Sequence, residues 1–374
     1  MDGTYDTVVI GGGQAGLATG YHLQRRGVAF TVLDAGERVG DPWRDRWDSL
    51  RAHTPARYDG LPGMPFPAPP HACPTKDELA DYLETYAERF DLPVELGTWV
   101  ERVERTGDGY LVTAGDRQLV ADNVVVAMAS YQVPTVPDFA GELADDVVRL
   151  HSSDYRNPDQ LADGPVLVVG AGNSGAEISL DLAGDREVWL SGPDVGHVPF
   201  DTGSWFGRHL GVPFVLRVLF HRVLSTGTPV GRRLRPKLLH RGAPVVRVKP
   251  SDLAAAGVER VPRTTGVEGG CPVVGPDRVL DVENVVWCTG FRPDFSWIDV
   301  PVFGGAETPK EPVHERGVVP DAPGLYFVGL FFLHALSSSL LCGVARDARY
   351  VVDHLVSRSR GPTRTAVSAP QTVI

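Results

Sequence analysis

Short apolar runs rich in β-branched residues recur along this chain. TVVI at 7–10, FTVL at 30–33, VLVV at 166–169 and VWLS at 188–191 are each bounded by turn residues or charges. Continuous apolar runs of this length suit strands that are covered on both faces. Inside each pair the spacing turns helical, in QAGLATGYHLQRR and again in NSGAEISLDLA. Strand, glycine turn, helix and strand thus occur twice, which predicts two βαβ units on parallel sheets. TKDELADYLETYAERF predicts a further helix, with Thr75 and Glu78 as a capping box and Leu79, Tyr82, Leu83 and Tyr86 as its packing face. Near the end, LYFVGL predicts a buried strand, and SSSLLCGVARDARYVVDHL a helix capped by its serines. Residues 324–345 carry no formal charge and are numerous enough to span a bilayer. A strand and a helix joined by a polar turn cannot form one spanning helix, so no membrane span is expected.

Composition narrows the picture. With 374 residues and 43% hydrophobic content, the chain suits about two globular domains. Its net charge of -11 argues against binding nucleic acid or anionic lipid through bulk electrostatics. Cys73, Cys271, Cys288 and Cys342 form no CxxC pair. A redox dithiol, a cysteine-rich metal site and a disulfide framework are therefore not expected, and no metal is assigned. Together with an N-terminus that lacks a basic leader, this suits a reducing cytoplasm. Between 202 and 251 the charge is reversed, with ten Lys or Arg and no Asp or Glu. FVLRVLFHRVL at 214–224 spaces apolar and basic positions helically. The block reads as a solvated basic face, as a source of phosphate contacts, or as an interfacial helix.

Each of the two units carries G-x-G-x-x-G between its strand and its helix, as GGGQAG and GAGNSG. Such a turn brings backbone amides and a helix N-terminus to a pyrophosphate. The second strand of the first unit ends in Asp34, placed to accept ribose hydroxyls. Its counterpart in the second unit ends in Ser191-Gly192-Pro193. Without a carboxylate there, nothing repels a 2′-phosphate, but no arginine adjoins it either. Two cradles suggest one resident and one visiting dinucleotide, with hydride passing between them.

GGGQAG with GAGNSG, HSSDY at 151–155, WCTGF at 287–291 and GDPWRDRWDSLRAHTPARYDGLPG after the first unit resemble the flavin-containing monooxygenase superfamily, above all its CzcO-like and YUCCA-like members. The resemblance implies an α/β protein of two Rossmann-like dinucleotide-binding domains of the three-layer ββα type. The FAD domain would comprise 1–158 and 286–374, with an NAD(P) domain at 159–285 inserted. It implies that Gly11, Gly13, Gln14, Ala15 and Gly16 hold the FAD pyrophosphate and Asp34 its ribose. Trp43 and Arg44 would line the flavin, and the backbone of Val103 would meet the adenine. Gly329, Leu330, Ser338 and Ser339 would form the turn beside the isoalloxazine. Gly170, Gly172, Asn173, Ser174 and Gly175 would hold NADPH, with Ser191 at the end of the following strand and Thr289 and Gly290 in the linker back.

The activity implied is NADPH- and O2-dependent oxygenation of a small molecule at nitrogen, sulfur or carbon through a C4a-hydroperoxyflavin. An NAD(P)H-dependent flavoprotein reductase and a non-catalytic flavin- or nucleotide-binding regulator stay open as alternatives. A homodimer is a common outcome for such folds. Only His151 and Tyr155 survive of the FxGxxxHxxx(Y/F) fingerprint, Asp145 and Val147 replacing its Phe and Gly. Tyr155-Arg156 stands where Baeyer–Villiger relatives carry Trp-Pro. His151, Tyr155 and His334 are the candidate catalytic side chains; each also reads as an anchor, the first two between domains and the third in the core.

Overall fold

The computed structural model describes residues 3–107, 109–198, 200–241, 244–303 and 311–359. Two sheets organise it. In the first, β1 (Gly3–Ile10), β2 (Phe30–Leu33) and β3 (Val94–Glu95) run parallel, and the free edge of β1 pairs with β6 (Arg117–Val126). One half of β6 closes an antiparallel meander with β4 (Arg102–Thr106) and β5 (Gly109–Ala114). Its other half, Val124–Val126, pairs in parallel with the late strand β18 (Leu325–Phe327). Consecutive strand residues face opposite ways. Val9, Val32 and Val125 pack under α1 (Gln14–Gln24), α3 (Lys76–Arg89) and α7 (Leu341–Ser359), while Val8, Ile10, Val124 and Val126 meet Val103, Tyr110 and Val112 of the meander. That alternation produces the expected ββα layers.

The second sheet is wholly parallel, in the order β11-β10-β9-β15-β8. Its strands are β8 (Val148–His151), β9 (Val166–Val169), β10 (Val188–Ser191), β11 (Glu259–Val261) and β15 (Asn284–Trp287). α4 (Asn173–Leu182) and α6 (Pro250–Ala255) cover one face, and β12 (Thr264–Glu268), β13 (Cys271–Val274) and β14 (Arg278–Val279) cover the other. The chain crosses between the sheets twice, and the crossings pair with each other as β7 (Val133–Pro134) and β16 (Phe291–Arg292). β17 (Ile298–Asp299) then extends the meander beyond β4.

α3 has the anticipated capping box, and Leu79, Tyr82, Leu83 and Tyr86 are buried. Burying each of the four contributes roughly 1.5–3 kcal/mol, against about 1 kcal/mol for the cap, so packing holds this helix. Three sequence expectations change. Boundaries at 158 and 285 cut across the second sheet, because β8 hydrogen-bonds to β15 and β15 spans the second boundary. A glycine turn marks the first βα step, not the first strand of a sheet. α7 starts at Leu341, after the serines, since Ser338 Oγ accepts from His334 N–H (3.1 Å) and Ala335 N–H (2.9 Å) and so stitches the preceding turn. Gly207–Gly211 and Phe214–Val223, on either side of Pro213, are wound as π-helix rather than α-helix. Among the described residues no helix is long and apolar enough to cross a membrane.

Candidate functional site

Both glycine turns sit at carboxyl ends of parallel strands, where the strand order reverses. Ligands of open α/β sheets gather at such a point. In the first, Gly11 N–H bonds the Leu33 carbonyl (2.8 Å) and a Cβ at Gly16 would lie 1.8 Å from the Gly11 carbonyl oxygen. Only glycine lets α1 approach that closely. At Gly13 nothing lies within 4 Å of a built Cβ, so this face of the turn is open to a ligand. The second turn repeats the design: Gly170 N–H bonds the Ser191 carbonyl (2.8 Å), a Cβ at Gly175 would come within 1.8 Å of Gly170 O, and Gly172 is open. Both cradles thus fit a pyrophosphate held by backbone amides.

The structure brings some candidates together and ties others to partners of their own. Asp34 Oδ2 accepts from Gly12 N–H (2.5 Å) and Oδ1 from Gly36 N–H (2.8 Å), so the carboxylate braces the turn from the end of β2. Gly329, in left-handed backbone, abuts Ala15, where its Cβ would clash at 2.8 Å, and Gln14 Nε2 donates to Ser339 O (3.4 Å). The β18–α7 turn with Leu330 therefore adjoins the first cradle. Thr289 N lies 3.3 Å from a Cβ built at Gly170, which sets the Thr289-Gly290 linker against the second cradle. Trp43, in α2 (Asp41–Arg44), packs on the cores of both sheets.

Arg44 instead gives its guanidinium to Asp81 (3.1 Å) and Glu84 (3.0 Å) of α3. Val103 is fully buried, and its N–H bonds the Trp297 carbonyl (2.9 Å). The segment that borders Asp34 is the β3–β4 connection, where Thr98 N–H donates to Asp34 O (2.8 Å). Ser191 Oγ is fully buried and committed to Pro262 O (2.9 Å) and Thr264 (2.8 Å). Asn173 tethers Pro244 O (3.2 Å) and Val246 N–H (3.0 Å), leaving the N-terminal amides of α4, Ser174 included, as the open part of that cradle.

The three catalytic candidates are anchored. His151 Nε2 bonds Gly290 O (3.1 Å), Nδ1 faces Ser153, and burial lowers its proton affinity. Tyr155 Oη donates to Asp181 (2.7 Å), and burial raises its hydroxyl well above the usual range. His334 Nδ1 meets Thr226 Oγ1 (2.9 Å), and burial lowers the imidazole to about 4.

A polar group that the sequence reading passed over lies where the two units meet. His53 Nδ1 and Arg247 each stand 3.5 Å from the buried Glu177 of α4, and Arg247 also donates to Arg51 O (3.2 Å). Burial pushes Glu177 up to about 7 and His53 down to about 4. Asp59, fully buried, is pushed up to about 7 despite its bond from Thr54. His53 Nδ1, Tyr58 Oη, Asp59 Oδ2 and Glu177 Oε1 are buried without a hydrogen-bond partner among the described residues. Such orphans suit a ligand rich in heteroatoms. A carboxylate set between Ala176 and Ile178 on an apolar helix was the sequence signal for Glu177.

Arg260 was missed as well. It lies on β11 beside Leu190 of β10 and donates to the Gly192 carbonyl (2.8 Å), at the strand end that offers no carboxylate. Gly192 in turn abuts Ala171 of the second cradle, 3.1 Å from its backbone nitrogen to a built Cβ.

Comparison with known proteins agrees with this geometry. A family model described as pyridine nucleotide-disulphide oxidoreductase matches residues 8–192. The CzcO-like oxidoreductase of Geobacillus kaustophilus (strain HTA426) is 38% identical, over 96% of this chain and all of that one. A probable indole-3-pyruvate monooxygenase of Arabidopsis thaliana, YUCCA9, is 35% identical over 82% of this chain and 80% of its own length. The solved flavin-containing monooxygenase of Stenotrophomonas maltophilia superposes with a TM-score of 0.76 at 28% identity, covering 96% of this chain and all of that one.

Proposed function

The chain belongs to the flavin monooxygenase family, and from that premise we propose an FAD-containing, NADPH- and O2-dependent monooxygenase of a small nucleophilic substrate. Nitrogen, sulfur or an activated carbon is the atom oxygenated. The observation that carries the reading is the pair of open glycine cradles at the strand ends of two sheets, tied by the β7–β16 crossing. We divide the chain where its sheets divide, with both crossings, near 127–135 and 288–292, as the joints.

The first cradle, Gly11–Gly16 with α1 behind it, would hold the FAD pyrophosphate, with Asp34 bracing the turn and the β3–β4 connection beside the ribose end. When bound, FAD supplies hydride acceptance and oxygen activation. The second cradle would hold NADPH, with the Arg260 guanidinium at Gly192 facing the 2′-phosphate. Trp47 and Leu50, carried on the chain of the first unit, are buried in the core of the second and wall the junction against water. His53, Asp59 and Glu177 supply the polar lining there. At neutral pH His53 is neutral, whereas Asp59 and Glu177 are each near half-protonation and can hold or release a proton.

Dithiol chemistry fits poorly. Burial raises Cys342 to about 12 and drives Cys288 higher, so neither offers a thiolate at neutral pH.

The purified protein should be yellow, and NADPH should bleach it without oxygen. With oxygen and a thioether or amine, one NADPH should be consumed per oxygenated product. Protein that refuses FAD sinks the reading. Bleaching followed by peroxide alone, with no product from any nucleophile, would make it a reductase.

A further inference from the structure

The basic block of 202–251 holds a surface that the oxygenase reading leaves unused. Its helix, 205–223, has a fixed inner face. A Cβ at Gly207 would lie 1.9 Å from Asp201 O, and one at Gly211 would lie 2.6 Å from the Phe200 ring. Val212 and Leu216 are buried beside them against Tyr58. These contacts set the rotation of the helix, so what it turns outward is specified. Outward stand Trp205 (71% exposed), Phe206 (54%), Leu210 (53%) and Phe214 (59%). At these spacings a helix with i→i+5 turns carries them as one stripe.

Arg208, Arg217 and Arg222 are exposed along the same helix. The nearest carboxylate in sequence, Asp201, accepts from Gly203 N–H (2.8 Å) and lies 4.0 Å from Lys249. We propose that this helix docks the protein on a bilayer surface that carries anionic phospholipid, its aromatic stripe in the interface and its arginines on the headgroups.

Two arguments select a bilayer over a second copy of the chain. A two-fold interface sets the same patch against itself, and the exposed arginines of this helix, Arg208, Arg217 and Arg222, would then face their own copies with no acidic residue between 205 and 223 to offset them. Trp, Phe and Leu on one side of a helix with arginine on its flanks is also the pattern of helices that lie in a membrane interface. The net charge of -11 does not oppose this. Charges farther away than a screening length of about 8–10 Å are largely screened, so the local patch decides. Net charge averages over the whole surface and does not describe this face.

The test mixes the flavin-loaded full chain with vesicles of phosphatidylcholine, with and without phosphatidylglycerol, and follows flotation. The wild type should float with the anionic vesicles at low salt, stay behind with the neutral ones, and be released by high salt. Trp205→Ser with Phe214→Ser, and separately Arg208→Glu with Arg222→Glu, should each weaken anionic flotation at least tenfold. Melting temperature and flavin content should be unchanged, which shows that the variants fold. Three results would overturn the proposal. The wild type does not float with anionic vesicles; folded variants float as well as the wild type; or light scattering finds a dimer that Phe214→Ser dissolves, which would assign the stripe to a second copy.

Discussion

Asp59 shows how far burial alone can move one group. Its carboxyl sits near 7 in the folded protein, so between about pH 4 and 7 the native state holds a proton that the unfolded chain releases. Its contribution is therefore fully favourable below the unfolded value and is lost as pH rises toward 7, by at most about 4 kcal/mol. Asp59→Asn keeps the shape and removes the titration. In urea unfolding of flavin-free protein, the stability of the variant relative to the parent should rise steadily between about pH 4 and 7 and level off above 7; parallel profiles would refute this. Arg260 is tested by binding. A hydrogen bond to a charged group contributes about 1.5–3 kcal/mol, or roughly 10–150-fold in affinity. Arg260→Gln should weaken NADP+ by that factor in calorimetry of the flavin-loaded protein and leave NAD+ unchanged. Equal losses for both would mean that the arginine only supports the loop.

At the scale of elements, what was legible in the sequence is what neighbours along the chain decide. The two strand–turn–helix units and the capped α3 depend on local spacing, and they stand where the pattern puts them. What was not legible is which distant partners the candidates would meet. Ser191, Val103 and Arg44 were chosen by position in a motif, but each spends its polar groups on a partner distant in sequence: Thr264, Trp297 and Glu84. Arg260 reaches the second cradle from the neighbouring strand, which no spacing rule relates to the glycine motif. The two cradles can be separated experimentally because each depends on its own helix approach. Gly16→Ala should give a folded protein depleted of flavin. Gly175→Ala should stay yellow yet show no heat of NADP+ binding. In both, the added methyl meets a backbone carbonyl at 1.8 Å, which only a shift of the helix relieves. Should Gly175→Ala lose flavin as well, the cradles are not independent.

For the whole molecule, what matters is how two sheets with separate cores are held in one relation. The crossings form a compact joint: Thr135 N–H bonds Gly290 O (2.9 Å), His151 bonds the same carbonyl (3.1 Å), and the Arg46 guanidinium lies 5.6 Å above the Phe291 ring. Away from the joint, Arg247 holds Glu177 of its own unit and Arg51 of the other. The latch needs an ionised Glu177, and burial places that ionisation near pH 7. Above 7 the carboxylate keeps the guanidinium in place; below 7 it takes a proton and the attraction fades. Amide hydrogen exchange across 288–292, corrected for the intrinsic pH dependence, should therefore speed up as pH falls from 8 to 6. Glu177→Gln should show the fast, pH-independent exchange throughout, and Arg247→Ala should match it. If exchange in the parent is flat with pH, the joint alone fixes the two units and the latch has no part in their motion.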